Sequence, residues 1–492
     1  MPRLHLRALA LCAALSPLGI QYAFAAPDSA PQTASASSFQ TAPLFSAADI
    51  SFRTLPNGVR ALVKRTPGAE TLSVQVWVRA GSRFESDANA GVAHLIETAA
   101  LRASKNHPAQ ASGDGGLAGA MRRVGGDSGA LTSRDATFYS ATVATPFVQT
   151  AFNALADTVL RPDLAEASVE EAKLGVADDL TRRSLDSVAS ASDLAYATAF
   201  SRHPYRRSAL GSDESVAALT GTKVRDYYKR QYVGTNTTVV LVGDIDFTRG
   251  QNLIRAAFGS MPHGVRAEPV IALDPLPKNR EAVRRAGLSR DAVALAWRSS
   301  GMQNPRDVVA LDTLLSLWRE GVQANLRTRL LRGGPDSTTN PPLASAYEVD
   351  FLTQHDAGLF LITLAGTVDK DAAQKAVLDE VQRARDGALS PDEVARARAQ
   401  LRHQYIEQGE NPAGQAGALG FYDAISSYQF AVNYLSLCDS VTGDDLQRVA
   451  RKYFAPTALV RVELIPLTPP QTRPDIPRPG DPNIITTSAP RR

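Results

Sequence analysis

His94 and Glu97 stand three residues apart in Gly91-Val-Ala-His-Leu-Ile-Glu-Thr98, within a stretch of helical apolar spacing. On a helix such a pair projects from one face. An imidazole and a carboxylate so placed can move a proton or hold a metal ion. In the H-x-x-E-H arrangement, two histidines at i and i+4 ligate zinc and the glutamate is the general base. Here the i+4 position is Thr98, a poor zinc ligand, whereas a catalytic zinc needs three protein ligands and one open position. A His-x-x-Glu this short, taken by itself, reads more readily as a packed helix histidine than as a site.

Two other motifs yield less. Gly126-Asp-Ser-Gly129 has the form of a serine nucleophile loop, with His94 imaginable as its base. That chemistry sits on many short strands, normally with disulfides, and this chain has long helical stretches and two cysteines. Gly113-Asp-Gly-Gly116 lacks the Gly-Lys-Ser/Thr ending of a phosphate loop and reads as a plain loop.

Composition bounds what must position these residues. The 492 residues, 44% of them hydrophobic, suffice for two to four domains with large cores. Charged residues make up 21%, with 53 Lys+Arg against 50 Asp+Glu, which argues against disorder and against coating nucleic acid. Two Cys and seven His exclude a disulfide scaffold and a Cys-rich zinc ribbon, and keep any His-based metal site small.

The chain ends read differently from its middle. Arg3 and Arg7 precede an apolar run, and Ala23-Phe24-Ala25 has the form of a signal-peptidase site. Residues 1–25 are therefore expected to be a signal peptide cleaved after Ala25, giving a periplasmic or secreted protein. The apolar run is too short for a comfortable membrane span, so no stable membrane insertion is expected. Residues 26–47, rich in Ala, Ser, Pro and Thr, suit a flexible leader. From Pro466 onward eight of the last 27 residues are Pro, which makes 468–492 a Pro-rich tail. Near the midpoint, Pro262, Pro269, Pro275 and Pro277 punctuate a linker placed at 263–284. It separates domains at 48–262 and 285–467.

These domains resemble one another. Leu219-Thr-Gly-Thr-Lys-Val-Arg-Asp-Tyr-Tyr-Lys-Arg-Gln-Tyr232 lies on Val441–Phe454 at a shift of 222 residues, each followed by a β-rich segment (237–242 and 459–464). Helical Leu164–Val176 lies on Leu389–Leu401 at 225, and Val74-Gln-Val-Trp77 with Gly81 on Ala294-Leu-Ala-Trp297 with Gly301 at 220. Three pairs in order at nearly one offset indicate an internal duplication. In the first copy the pattern predicts a hairpin (50–55 and 58–63) about Asn57-Gly58, a strand at 71–78, a helix at 88–104, strands at 127–132 and 136–143, and helices at 146–160 and 165–182. This is an α+β order.

Placed on this framework, several motifs fall in the order and spacing of one family. Thr54-Leu-Pro-Asn-Gly-Val-Arg60, Val78-Arg-Ala-Gly-Ser-Arg-Phe-Glu85 and Ala90-Gly-Val-Ala-His-Leu-Ile-Glu97 come first. Gly125-Gly126, Ala130-Leu-Thr-Ser-Arg-Asp135, Thr137-Phe-Tyr139, Arg161-Pro162 and Asn236–Gly243 continue the series. The chain resembles the pitrilysin/insulinase family of zinc peptidases, in its processing-peptidase-like branch, over most of its length. The resemblance implies two tandem homologous α+β domains, each a mixed, mainly antiparallel sheet packed with helices, closing as a clamshell. It puts the first histidine ligand on His94, the glutamate base on Glu97, the second histidine on Thr98 and the third ligand near Asp179, with Asp178 as the alternative. One ligand kept, one replaced and one shortened is a degenerate site, so zinc is expected to be weak or absent.

The resemblance also implies an Arg and a Tyr from the second domain at the substrate. Arg332 and Tyr347 are the local matches, with Ser345 standing where the tyrosine is expected. The strand Asp127–Thr132, with Gly129, Ala130, Leu131 and Thr132, is the candidate edge for extended peptide substrates. In that branch active and inactive chains pair, so the implied partner is an active zinc-peptidase chain in a heterodimer. The leading expectation is a non-catalytic, substrate-handling subunit. A zinc endopeptidase using His94, Asp179 and Glu97 and a non-enzymatic envelope scaffold are the alternatives.

Overall fold

The computed structural model describes residues 44–467 except 111–112, 267, 270, 272–273, 275–277, 320–324 and 332–340. The expected signal peptide, most of the leader, the Pro-rich tail and Arg332 lie outside the described residues.

Runs of β-branched and small apolar residues set the strands. The first half forms β1 (Ile50–Thr54), β2 (Arg60–Arg65), β3 (Thr71–Val78), β4 (Asp127–Thr132), β5 (Thr137–Ala144) and β6 (Thr237–Gly243). The second half forms β7 (Arg280–Ala286), β8 (Ala292–Arg298), β9 (Ala344–Phe351), β10 (Leu359–Thr367) and β11 (Val460–Pro466). The sheet orders are β1-β2-β6-β3-β5-β4 and β7-β11-β8-β10-β9. Without β1 the two orders correspond strand for strand, and in each only one pair, β2–β6 or β7–β11, is parallel. The duplication read from sequence is thus a duplication of topology.

The helices follow the same correspondence. The first half carries α1 (Val92–Arg102), α2 (Gly116–Arg122), α3 (Val148–Leu160), α4 (Glu166–Leu185), α5 (Ser187–Ala199), α6 (Asp213–Ala217), α7 (Gly221–Gln231) and α8 (Phe247–Phe258). The second carries α9 (Pro305–Arg319), α10 (Asn325–Leu331), α11 (Lys370–Arg385), α12 (Pro391–Gln408), α13 (Pro412–Ile425), α14 (Tyr428–Ser440) and α15 (Gly443–Tyr453). The repeated Thr-Gly is a helix start. Thr220 and Thr442 cap α7 and α15, their hydroxyls accepting from Lys223 N and Asp445 N. Among the described residues no helix is long and apolar enough to cross a membrane.

The central strands of each sheet are covered on both faces, which is why β6 and β8 are buried throughout. One face is covered by helices of its own half; the other is covered across the seam. Helix α13 of the second half packs on β3 and β6, and α5 of the first half packs on β8, β10 and β11. These helices are counterparts, starting at Ser187 and Pro412. Small residues permit the approach. Ala191, Ala195 and Ala199 share a core with Ala292, Ala294 and Ala296, and a Cβ on Gly420 would come 2.0 Å from Trp77 Nε1.

Polar groups lock the crossing. Asp423 on α13 has a fully buried side chain and accepts Arg60 Nε at 2.8 Å, Arg60 Nη2 at 2.6 Å and Thr238 Oγ1 at 2.7 Å. Arg83 Nε reaches Asp356 at 2.8 Å, and Tyr205 donates to Asp135 at 2.6 Å while accepting from Asp356 N.

Three boundaries differ from the sequence reading. The linker ends at 279, because Arg280 N already donates to Leu459 O and begins β7; Arg-rich β7 lacks the apolar run that marks a strand. The leader is anchored before residue 47, since Phe45 is buried against Tyr405. The loop at 113–116 ends as α2 begins at Gly116, which has a positive φ and no room for a Cβ beside the Leu101 carbonyl.

Two outcomes follow from these buried carboxylates. Replacing Asp423 by Ala leaves Arg60 unpaired at the seam and should cost about 2–4 kcal/mol, read in urea denaturation. Because each half covers the other's sheet, both halves should unfold in one transition; two separate transitions would contradict the crossing. Asp312 on α9 accepts the Tyr434 hydroxyl at 2.7 Å, and burial, only partly offset by that bond, pushes it up to about 7. A raised folded value means stability fully present below about pH 3.9, the unfolded value, and lost as pH rises toward 7. Asp312→Asn should therefore gain on wild type across that window, and a pH-independent difference between the two would refute it.

Candidate functional site

Helices α1 and α4 run antiparallel with their side chains in step. His94 Nε2 lies 3.1 Å from Asp179 Oδ2. One turn along, Thr98 faces Gly175, where a Cβ would meet Thr98 Cγ2 at 3.2 Å. A turn further, Arg102 pairs with Glu171 at 2.6 Å. Steps of four residues on both helices keep one seam, as helical geometry requires. This register selects Asp179 over Asp178, which is exposed on the outer side of α4.

The start of α1 is fixed by Glu85, which sequence reasoning left without a role. Its buried carboxylate accepts from Gly91 N at 2.8 Å and Ala93 N at 2.9 Å, two donors the helix start leaves open. Burial, against these bonds and Arg207, pushes Glu85 up to about 7. Gly91 has φ +86, and a Cβ there would lie 2.7 Å from the Leu210 carbonyl.

His94 Nδ1 lies 3.1 Å from Glu97 Oε2, so the ring sits between two carboxylates. Burial works against its charge, but the hydrogen bonds and charges of Asp179 and Glu97 outweigh it and push His94 up to about 10. Each ring nitrogen thus faces a carboxylate oxygen, an arrangement that favours the charged ring. Burial would raise Asp179, yet His94 and Arg182 together hold it below the usual carboxylate range. Arg182 pairs with Asp179 one turn along α4, an i,i+3 relation that was legible in the sequence but unused.

Of the three expected ligand positions, His94 and Asp179 are brought together, and Thr98 offers no zinc donor. Thr98 Oγ1 donates back to the His94 carbonyl at 3.0 Å, one turn earlier on its own helix. Among the described residues no group of three or more His, Cys, Asp or Glu side chains is arranged to hold a metal ion. As it stands, the arrangement is an ion-paired helix seam able to hold a proton between two carboxylates.

The remaining sequence candidates are placed as follows. Gly129, Ala130, Leu131 and Thr132 lie on β4, the outermost strand of its sheet, with α1 packed beside it. Ser128 and Gly129 pair with Ala141 and Ser140 of β5, so they belong to sheet pairing rather than to a nucleophile loop. Tyr347 lies on β9, and its hydroxyl donates to the carbonyls of Trp318 and Arg319 at 3.2 Å, at the end of α9. Ser345 donates to Ala365 O within the same sheet.

Comparison with known proteins agrees with this architecture. Residues 60–213 match the sequence profile of the insulinase family (peptidase family M16), and residues 218–401 match that of the peptidase M16 inactive domain. The zinc protease PqqE of Helicobacter pylori is 25% identical over 422 residues, 84% of this chain and 92% of that protein. A probable mitochondrial-processing peptidase subunit beta of Arabidopsis thaliana is 26% identical over 427 residues, 83% of this chain and 77% of that one. An uncharacterised zinc protease of Mycobacterium leprae is 32% identical over 207 residues; the match spans 42% of this chain and less than half, 45%, of that protein. Among solved structures, a protease from Helicobacter pylori shares the fold with a TM-score of 0.77 at 24% identity, covering 85% of this chain and 99% of that one.

The seam generates a direct test. Position 98 faces α4 beside a glycine, so a histidine there has room and the right face. Thr98→His should raise zinc affinity by more than about a hundredfold, the upper range for losing a mere supporting contact, in competition titrations with a fluorescent chelator. Unchanged affinity would mean that the seam cannot open for a metal.

Proposed function

Because the chain belongs to the insulinase family of zinc peptidases (peptidase family M16), we propose that it is a non-catalytic, substrate-handling subunit of a periplasmic, heteromeric zinc metallopeptidase. One observation carries the reading. Where a family site would hold zinc, His94 is bonded on both sides to carboxylates and Thr98 is turned back onto its own helix. With Thr98 in place of a histidine, fewer ligands remain to hold a metal that would acidify a water there.

Three features support the remainder. A relative of nearly full-length likeness is named as a subunit, that of the mitochondrial-processing peptidase, which suggests a partner chain carrying an intact H-x-x-E-H. The open edge of β4 beside α1 suits an extended peptide added as a further strand. The expected signal peptide at 1–25 favours the periplasm. A second reading, an endopeptidase working through an altered zinc site, draws on the retained Glu97 and Asp179 and on relatives named zinc proteases.

Elemental mass spectrometry on the full chain, dialysed without chelator, separates the two. The first reading expects well under one zinc per chain and no peptide turnover by the chain alone. In a complex reconstituted with an active partner, Glu97→Gln should leave the rate within about twofold. Stoichiometric zinc, with turnover that Glu97→Gln abolishes, would establish the altered-site enzyme instead.

A further inference from the structure

The two sheets are equivalent except at one edge. In the first, β2 is covered by β1, which pairs with it antiparallel from Ile50↔Lys64 to Thr54↔Arg60. In the second, β7 occupies the place of β2 but is the last strand, with no outer neighbour among the described residues. An uncovered edge presents unpaired N–H and C=O groups to any strand that can approach.

Which groups face outward follows from two bonds. Arg280 N donates to Leu459 O, and Ala286 O accepts from Leu467 N, so the even-numbered residues of β7 bond inward. Backbone groups alternate along a strand. The outward groups therefore belong to Glu281, Val283 and Arg285. All three side chains are exposed, Val283 to 60%. Neither Glu281 nor Arg285 has a charged partner of its own among the described residues.

A charged edge commonly serves only to repel other strands. For that purpose like charges would flank the apolar residue. Here the flanking charges have opposite sign, with Glu281 and Arg285 two residues to either side of Val283. Laid antiparallel on itself about Val283, the strand sets Glu281 against Arg285 at both ends and Val283 against Val283. Each facing pair also falls in the hydrogen-bonded position, where two residues exchange two backbone bonds. On the opposite face Arg284 meets Ala282, so Arg284 never stands directly across from its own copy.

We propose that the outer edge of β7 is a self-complementary seam that joins two copies of this chain into a two-fold dimer with a sheet continuous across both. The second copy's β7 takes, in the same antiparallel sense, the place that β1 holds in the first sheet. The seam is isologous and closes on itself. It is short, so the dimer is a concentration-dependent one, with a dissociation constant on the order of micromolar. It involves no residue of the α1–α4 seam and stands whether or not that site binds zinc.

The test is sedimentation velocity on the full chain across a concentration series. Wild type should pass from monomer to dimer. Arg285→Glu and Glu281→Arg each turn both facing ion pairs into like-charge contacts and should weaken the dimer by at least about tenfold. The double variant Glu281→Arg/Arg285→Glu restores opposite charges and should recover it. Val283→Pro removes one outward N–H without touching an inward bond, so it should leave a folded monomer, checked by circular dichroism and an unchanged melting profile. A wild type that stays monomeric at about 100 µM, well above that dissociation constant, would overturn the proposal. So would a dimer that survives the single charge reversals, or a double variant that remains monomeric.

Discussion

The structure rests on a covering problem. Two sheets, each apolar on both faces, can be closed on one side by helices from their own half, but the other side needs a helix from elsewhere. The duplicated chain meets this by exchange, with α5 lying on the second sheet and α13 on the first. Neither half can then be dry without the other, and the contacts that fix their mutual angle are buried charges such as Asp423 with Arg60. Such pairs tolerate little displacement, because separating them leaves a desolvated charge.

The candidate site inherits this constraint. Helix α4, which carries Asp179, passes into α5 through Asp186 alone, whose carboxylate caps α5 by accepting from Val188 N and Ala189 N. The position of α4 against α1 is therefore coupled to how α5 sits on the other half. At the other end, Glu85 holds the start of α1. The His94–Asp179 contact is thus framed by two anchors outside the seam. The scaffold thereby aligns His94, Thr98 and Asp179 along one seam.

Much of this was legible in the sequence, and the rest was not for identifiable reasons. Strands β3 and β4 fall on the residues expected, because alternation and β-branching are local signals. The duplication was visible because capping threonines and aromatic helix ends recur at one offset. Helix α5 went unread: Ser187–Ala199 is Ala- and Ser-rich with weak amphipathic character, since it is packed against another half rather than half exposed. The exchange of α5 and α13 is a tertiary fact with no local signature. At the site, His94 and Glu97 stand out by type and spacing, Asp179 and Tyr347 come from the family resemblance, and the bonds of Tyr347 to Trp318 and Arg319 cross between elements and leave no local signal. Residues 280–284 of Arg-rich β7 fall in the expected linker because charge breaks the apolar alternation there.

The two halves have kept their sheets and lost their equivalence at the polar positions. The helix pair α1–α4 has a histidine between two carboxylates, while its counterpart α9–α12 is joined by Ser316 Oγ on the Ala397 carbonyl, and Asp312 of α9 turns instead to Tyr434 of α14. The first sheet carries an additional strand, β1, outside β2 and ends at β4 beside the site; the second ends at β7 and β9. Core positions differ as well, since buried Ser73 and Gln75 of β3 correspond to buried Val293 and Leu295 of β8. At helix seams and sheet edges, one difference alters charge or pairing and leaves the packing intact. This is why chemistry and association in the molecule are read from single side chains, Thr98 on one helix and Glu281 and Arg285 on one edge, rather than from the fold that the two halves share.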